Sequence, residues 1–331
     1  LLRSDFLAVA EQALAEVAAC CHGITAVLGV PLHRCAAGVR NAAVLLAAGA
    51  EQGQVYKRCL PSYSVFDDNR HFVGGEAAFV AHAANGMQVG VMICEDLWSP
   101  APMADAVAAG AELVIGINAS PYHQGKPVER EQVIAARVKE TGVPVLYANL
   151  VGGHDEIVYD GGSFAVDRQG ITAVRAPQFE DGVYVVEVNS GGGVDGQCPP
   201  LAAEEQATYA ALVRGTVDYV HGNGFNGVVL GLSGGIDSAL TAAIAADALG
   251  PENVLGVMMP SRYTAQRSLD DAKAAAQALG IDYRVIPIED LFAGFEQALA
   301  AVFAQRPPDV TEENIQARIR GNLVMAISNK L

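Results

Sequence analysis

Leu230-Gly231-Leu232-Ser233-Gly234-Gly235-Ile236-Asp237-Ser238 follows an apolar run, Gly227-Val228-Val229, and leads into Ala239-Leu240-Thr241-Ala242-Ala243-Ile244, whose apolar spacing is helical. Strand, Gly/Ser turn and helix in that order make one βα unit of a parallel sheet. The helix N-terminus then offers free N–H groups and the positive end of its dipole to an anion. The glycines leave room for phosphate oxygens, and Ser233 and Ser238 add hydroxyls. Asp237 repels a bare phosphate, so its presence predicts a bridging cation, Mg²⁺ by preference. No lysine occurs in the turn, which excludes the Gly-x-x-x-x-Gly-Lys-Ser/Thr phosphate loop.

Working outward, helices are expected over 203–221, directly after the Ser/Gly turn, and over 268–279, 290–303 and 312–328, with strands at 227–232, 254–259 and 282–286. Repeated βα units of this length predict a Rossmann-like parallel sheet. Upstream, helices are expected over 5–19, 101–109 and 128–141. Strands are expected at 25–30, 40–46, 89–93, 113–117, 143–147, 163–166 and 182–188, several of them apolar throughout. That alternation predicts a layered α/β unit. Asn189-Ser190-Gly191-Gly192-Gly193-Val194-Asp195-Gly196-Gln197-Cys198-Pro199-Pro200 has no periodicity and is rich in turn formers. The boundary therefore falls there: one domain over 1–193, a linker over 194–202 and a second domain over 203–331.

The 331 residues suit two domains, and 21 basic against 37 acidic residues give a net charge of −16. Without a basic run, nucleic acid is excluded as a partner. No apolar stretch reaches the roughly 20 residues that span a bilayer, so no membrane partner is expected. Cys20, Cys21, Cys35, Cys59, Cys94 and Cys198 lack the spacing of a secreted disulfide scaffold, which predicts a cytoplasmic protein. Cys20-Cys21-His22 are read as packing, since adjacent cysteines on a helix poorly surround one tetrahedral ion. The chain opens without Met on Leu1-Leu2-Arg3-Ser4-Asp5-Phe6 and stops right after a helical pattern, so both edges are expected to be cuts through a longer protein.

Met92-Ile93-Cys94-Glu95-Asp96-Leu97-Trp98 puts a cysteine at an abrupt strand end, where backbone N–H groups favour a nucleophilic thiolate. A lone cysteine in such a place is equally a buried apolar residue.

Three groups of residues carry a resemblance to known families. The Ser233–Ser238 string resembles the signature of the N-type ATP pyrophosphatases, which adenylate a carbonyl or carboxylate oxygen and release pyrophosphate. Met259-Pro260-Ser261-Arg262-Tyr263-Thr264 and Thr311-Glu312-Glu313-Asn314-Ile315-Gln316-Ala317-Arg318-Ile319-Arg320-Gly321-Asn322 are similar to NAD synthetases. Tyr56-Lys57-Arg58-Cys59-Leu60-Pro61-Ser62-Tyr63-Ser64-Val65-Phe66-Asp67-Asp68 resembles the lysine loop of the nitrilase superfamily, with Cys94 at the separation of its nucleophile. Together they resemble the glutamine-dependent NAD synthetases. The implied fold is a nitrilase-like layered α-β-β-α domain followed by the Rossmann-like ATP pyrophosphatase domain.

The resemblance implies Cys94 as nucleophile and Lys57 as oxyanion stabiliser. It implies glutamine contacts from Tyr63, Phe66, Glu95 and Ser120, the last within Asn118-Ala119-Ser120. ATP is implied at Gly231, Leu232, Ser233, Gly234, Gly235, Asp237, Ser238, Met259 and Arg262, with Asp237 on Mg²⁺. Asn314, Arg318 and Asn322 share a helix face by their spacing of four, a stripe suited to a dinucleotide; the resemblance gives Asn314 and Arg318 to deamido-NAD near a subunit interface, hence a homo-oligomer, with Asn322 expected beside them. His154 stands where the family usually has Gln and is read as a turn residue. The family's general-base glutamate has no counterpart here; Glu11 and Glu16 lie on the wrong helix. Either the protein continues before Leu1 or this domain leaves glutamine intact. Two other readings stay open: another glutamine-dependent adenylating amidotransferase, and a catalytically silent metabolite-binding scaffold.

Overall fold

The computed structural model describes residues 3–33, 38–83, 85–189, 191–304 and 306–331; Leu1, Leu2, Cys35 and Ser190, named above, lie outside them. The contacts divide the chain into two units, Leu1–Gly152 with Ile157–Thr208, and Gly153–Glu156 with Tyr209–Leu331.

The first unit begins with α1 (Ser4–Cys20) and an antiparallel sheet of β1 (Thr25–Leu32), β2 (Arg40–Ala47) and β3 (Ala50–Tyr56). A short helix α2 (Asp68–His71), β4 (Val80–His82), β5 (Gln88–Ile93), α3 (Pro100–Ala108), β6 (Leu113–Asn118), α4 (Lys126–Thr141) and β7 (Val145–Asn149) follow. Then come the hairpin strands β8 (Val151–His154), whose last two residues count with the second unit, and β9 (Ile157–Asp160), and β10 (Phe164–Val166), β11 (Thr172–Arg175), β12 (Glu187–Val188) and β13 (Val194–Asp195). A six-stranded sheet runs β11-β10-β7-β6-β5-β4, parallel across β5-β6-β7 and antiparallel outside them.

The apolar run 42–47 of β2 is explained by its two faces. Ala42, Val44 and Leu46 pack with Leu14, Ala18 and Cys21 of the α1 segment, while Ala43 and Leu45 pack with Val91, Ile93 and Cys94 of the other sheet. On the far side of the six-stranded sheet, Met92, Val114, Val145 and Tyr147 meet Met103 and Ala106 of α3 and Ile134 and Val138 of α4. The layers are therefore α-β-β-α, as expected. Each buried β2 side chain, taken out of water, contributes about 1.5–3 kcal/mol for the larger aliphatics.

One expected element is corrected. The strand over 182–188 shrinks to Glu187–Val188, because 183–186 find no ladder partner and Val183 stands 96% exposed. Residues 194–202, read as a linker, include β13, which pairs with β12, and Gln197 accepts the Arg175 N–H at 2.8 Å through its carbonyl.

In the second unit, α5 (Glu204–Gly222), β14 (Val228–Gly231), α6 (Ile236–Leu249), β15 (Val254–Met258), α7 (Gln266–Leu279), β16 (Asp282–Val285), α8 (Glu289–Phe303) and α9 (Val310–Lys330) run in order. The three strands form a parallel sheet β14-β15-β16, as the βα spacing predicts. Small Ala242, Ala245 and Ala246 let α6 lie close to Val254 and Met258, and Ile315, Ile319 and Leu323 of α9 pack with Val257, Ile288 and Phe292. A capping box starts α9: Asp309 accepts the Thr311 N–H at 2.8 Å and Glu312 accepts the Asp309 N–H at 2.7 Å.

Candidate active sites

Strand β5 ends at Ile93, and Cys94 bends the chain with φ +49°, a left-handed conformation that costs a β-carbon-bearing residue about 1 kcal/mol or more. A 3-10 turn over Cys94–Leu97 follows. Asp96 holds the bend: its carboxylate accepts the N–H groups of Arg58 at 3.0 Å, Cys59 at 2.8 Å and Ile93 at 3.3 Å. The lysine loop and the cysteine turn are thereby tied to one buried anion. Burial pushes the Asp96 carboxyl above the usual carboxylate range, against the three N–H donors and the Lys57 charge.

Lys57 is 3% exposed, and its Nζ lies 2.6 Å from Asp68 Oδ2. Lys57, Asp68, Phe66, Cys94, Asn41, Asn118 and Tyr159 share the wall of one cavity of about 470 Å³, with Gly29, Ile93, Ile117, Ala119 and Leu150 as its apolar part. Burial pushes the Cys94 thiol up, and the Lys57 cation pulls it down. The two expected catalytic side chains thus line one open-mouthed cavity of substrate size.

The other expected glutamine contacts separate. Phe66 lines the cavity; Tyr63, Glu95 and Ser120 do not. Tyr63 sits edge-on to Phe66 with centroids 5.6 Å apart and donates its hydroxyl to the Glu95 carboxylate at 3.0 Å. Burial and that carboxylate push the Tyr63 hydroxyl up to about 12. Ser120 is buried, and its Oγ and carbonyl accept from Arg130 at 3.0 and 2.8 Å. Arg130 Nη1 in turn donates to both Asp160 carboxylate oxygens, at 2.7 and 3.0 Å, inside the protein. Lys126 Nζ stands 3.8 Å over the Trp98 ring and bonds Glu129 at 3.0 Å.

In the second unit the Gly/Ser turn closes on its own hydroxyls. Ser238 Oγ accepts the Ser233 N–H at 3.2 Å, donates to the Gly235 carbonyl at 2.9 Å and lies 3.1 Å from Ser233 Oγ. Gly234 has φ +80°, and a Cβ there would fall 2.2 Å from the Ser268 carbonyl oxygen, so glycine is required twice over. Leu232 is buried, its N–H bonded to the Val257 carbonyl at 2.9 Å, and Met259 Cε lies 3.4 Å from where a Gly231 Cβ would stand.

Asp237 is exposed in the first turn of α6, beside those hydroxyls. One carboxylate at a phosphate-sized turn fits Mg²⁺, which takes few protein ligands and fills its shell from phosphate and water. Among the described residues no group of three or more acidic, His or Cys side chains gathers for a metal.

Arg262 is drawn elsewhere: its Nε donates to Glu289 at 2.6 Å and its Nη2 to Glu296 at 3.3 Å, and the guanidinium lies 5.5 Å over Phe292. Asn314, Arg318 and Asn322 stand exposed on α9, Arg318 donating to the Asn314 carbonyl at 3.1 Å. A cavity of about 700 Å³ in this unit is lined by Gly227, Val228, Asn253, Val254, Val324 and Met325 among others, at the amino ends of β14 and β15. Ligands of parallel sheets bind at the carboxyl ends, so that cavity is not where a nucleotide is expected.

Residue-type reasoning had no role for Asp68, Asp96, Arg130 and Asp160. Asp68 lies in the lysine-loop string, eleven residues after Lys57, and Asp96 two residues after Cys94. The Arg130–Asp160 pairing spans 30 residues and had no local signal.

Comparison with known proteins agrees with this geometry. An NAD synthase model matches residues 208–331 and a carbon-nitrogen hydrolase model matches residues 5–193. A glutamine-dependent NAD(+) synthetase of Xanthomonas campestris pv. campestris is 46% identical over 338 residues, covering 100% of this chain and 60% of that protein. One from Thermotoga maritima is 41% identical over 326 residues, covering 88% and 56%. The chain thus spans about 60% of the length of curated relatives it matches. Among solved structures, glutamine-dependent NAD+ synthetase from Acinetobacter baumannii in complex with ADP superposes with TM-score 0.95 at 37% identity, covering 99% of this chain and 62% of that one. The enzyme of that name from Cytophaga hutchinsonii shares the fold, with TM-score 0.83 at 21% identity, covering 99% and 63%. With Cys94 and Lys57 on one cavity, and a family model matching more than half of its residues, the chain belongs to the carbon-nitrogen hydrolase family.

Proposed function

We propose that the protein is a glutamine-dependent NAD synthetase, a ligase that amidates deamido-NAD with ATP and takes its nitrogen from glutamine. The observation that carries this reading is the shared cavity of Cys94 and Lys57 in a chain whose other unit bears the Ser233–Ser238 turn at a parallel-strand end. Relatives with that name match along the whole chain.

Cys94 sulfur adds to the glutamine amide carbon, and Lys57 Nζ stabilises the oxyanion. The C–N bond then breaks, the nitrogen takes one proton and leaves as ammonia, and a thioester remains. Water adds to the thioester carbon and releases glutamate and the thiol. The resemblance gives the proton relay to a glutamate that no residue of 1–331 matches. Phe66 touches glutamine from the cavity wall; Tyr63, packed on Phe66 and bonded to Glu95, and Ser120 orient glutamine through the wall they support.

In the second unit the Ser233–Ser238 turn, with Gly231, Leu232, Met259 and Arg262, holds ATP, and Asp237 holds Mg²⁺, which neutralises phosphate charge when bound. The nicotinate carboxylate of deamido-NAD attacks the α-phosphorus, the bond to the β-phosphate oxygen breaks and pyrophosphate leaves. Ammonia then displaces AMP from the carbonyl carbon. Asn314, Arg318 and Asn322 take the dinucleotide. The exposed stripe they form suits a site shared between copies of the chain, hence a homo-oligomer. A cytoplasmic enzyme fits these substrates; no helix among the described residues is long and apolar enough to cross a membrane.

The test is NAD formation by the full-length protein from deamido-NAD, ATP and either glutamine or ammonium. Cys94→Ala is expected to lose glutamine use and keep ammonium use, with AMP as the nucleotide product. Retained glutamine use in Cys94→Ala, or ADP as product, overturns the proposal.

A further inference from the structure

We propose that Arg320 is a positioning residue for the adenylating nucleotide: from α9 it holds the Met259 carbonyl, and through it the stretch of chain beyond β15 against which ATP lies. The inference rests on the ATP reading of the second unit.

Strand β15 ends at Met258, whose carbonyl accepts the Ile286 N–H at 2.8 Å. The next carbonyl, that of Met259, accepts Arg320 Nε at 3.0 Å, across 61 residues of sequence. Arg320 Nη2 lies 3.4 Å from Oε1 of Gln316, a buried glutamine one turn earlier on α9. The guanidinium is thereby held at two points. Arg320 is half-buried; burial alone pulls it below its ordinary range, and no carboxylate among the described residues offsets that. A cation placed there makes its bond to a backbone carbonyl a charge-assisted one, about twice as strong as a neutral pair.

What that carbonyl controls follows from its neighbours. Pro260 has no N–H to offer, and beyond it the Pro260 carbonyl accepts the Ile288 N–H at 2.9 Å while Thr264 Oγ1 accepts the Ser261 N–H at 3.0 Å. Those bonds tie the turn to itself and to the start of α8. Arg320 ties it to α9. The Met259 side chain is buried, and its Cε lies 3.4 Å from where a Gly231 Cβ would stand, at the residue that leads into the phosphate turn. Freeing the Met259 carbonyl therefore loosens the wall beside that turn. Arg320 follows Arg318 by two residues, about 200° round the helix, so it lies off the Asn314, Arg318 and Asn322 stripe. Its loss should reach the nucleotide and spare the dinucleotide.

The experiment measures NAD formation by the full-length protein with saturating ammonium as nitrogen source, at varied ATP and varied deamido-NAD, for the wild type, Arg320→Met and Arg320→Gln. Loss of one charge-assisted bond is expected to raise KM for ATP about tenfold and to leave KM for deamido-NAD within about twofold. Arg320→Gln, too short to span both partners, carries the same expectation should Arg320→Met fail to fold. A KM for ATP that stays in place, or that moves together with the KM for deamido-NAD, marks a purely structural role and overturns the inference while the ATP reading stands. A wild type that releases no AMP overturns both.

Discussion

Removing the Asp160 carboxylate tests how the cavity wall is held. Arg130 and Asp160 are 2% and 0% exposed at their side chains, and the guanidinium makes bonds to Ser120 Oγ, Ser120 O, Pro121 O and both Asp160 oxygens. Asp160→Ala leaves a buried cation with three neutral acceptors and no counter-charge, a loss of about 3–5 kcal/mol. Arg130→Met leaves the carboxylate with the Gln178 amide at 3.2 Å and is expected to cost a similar amount. The double variant removes both charges, so its cost should fall about 3 kcal/mol short of the sum. The assay is urea unfolding of the 331-residue chain followed by its single tryptophan, Trp98, which belongs to this unit. At about 2 kcal/mol per molar urea, either single substitution lowers the midpoint by roughly 2 M. Single losses under 1 kcal/mol, or a double variant equal to the sum, refute the claim that the pair acts as one unit.

The Cys94 thiol is held up by burial and pulled down by Lys57, so Lys57→Met is expected to push it further up; iodoacetamide alkylation followed from pH 6 to 10 should show a later rise, and an earlier one contradicts the assignment. The linked stability has a definite sign: with the folded value above the unfolded one, the contribution is intact below the ordinary thiol range and is lost as pH rises through the raised value. Gly116→Ala would put a Cβ 2.2 Å from Cδ1 of Leu97, a fully buried residue at the end of the Cys94–Leu97 turn, and should cost about 1–3 kcal/mol in urea unfolding; Leu97→Ala on top should show non-additive recovery, and its absence removes the packing argument. Gly234→Ala meets the Ser268 backbone at 2.2 Å with φ +80°, and calorimetric titration with ATP and Mg²⁺ should show affinity down at least tenfold; unchanged affinity in a folded variant sinks the nucleotide reading of the turn.

Local signals and distant pairings explain what the chain revealed in one dimension. The Ser233–Ser238 turn, the α9 capping box and the cysteine at the end of β5 are each written within a few residues, because helix ends and strand ends need particular residues in place. The two-sided burial of β2 was legible as an apolar run, but not which face meets which layer. Short β3, β4, β11 and the β8–β9 hairpin carry weak alternation and were missed, while 182–188 had strand-forming residues and no partner to pair with. The site divides in the same way. Cys94 and Lys57 stand out by type and spacing. The pairings Arg130–Asp160 and Arg262–Glu289 join residues 30 and 27 positions apart, and only the folded chain decides them. The second pairing changes how Arg262 must act in the proposed site: bound to Glu289 and Glu296, it reaches a phosphate only by exchanging one anion for another. A nucleotide that draws Arg262 away therefore leaves two carboxylates of α8 without their cation, and adding salt, which screens exposed ion pairs, should lower the cost of that exchange.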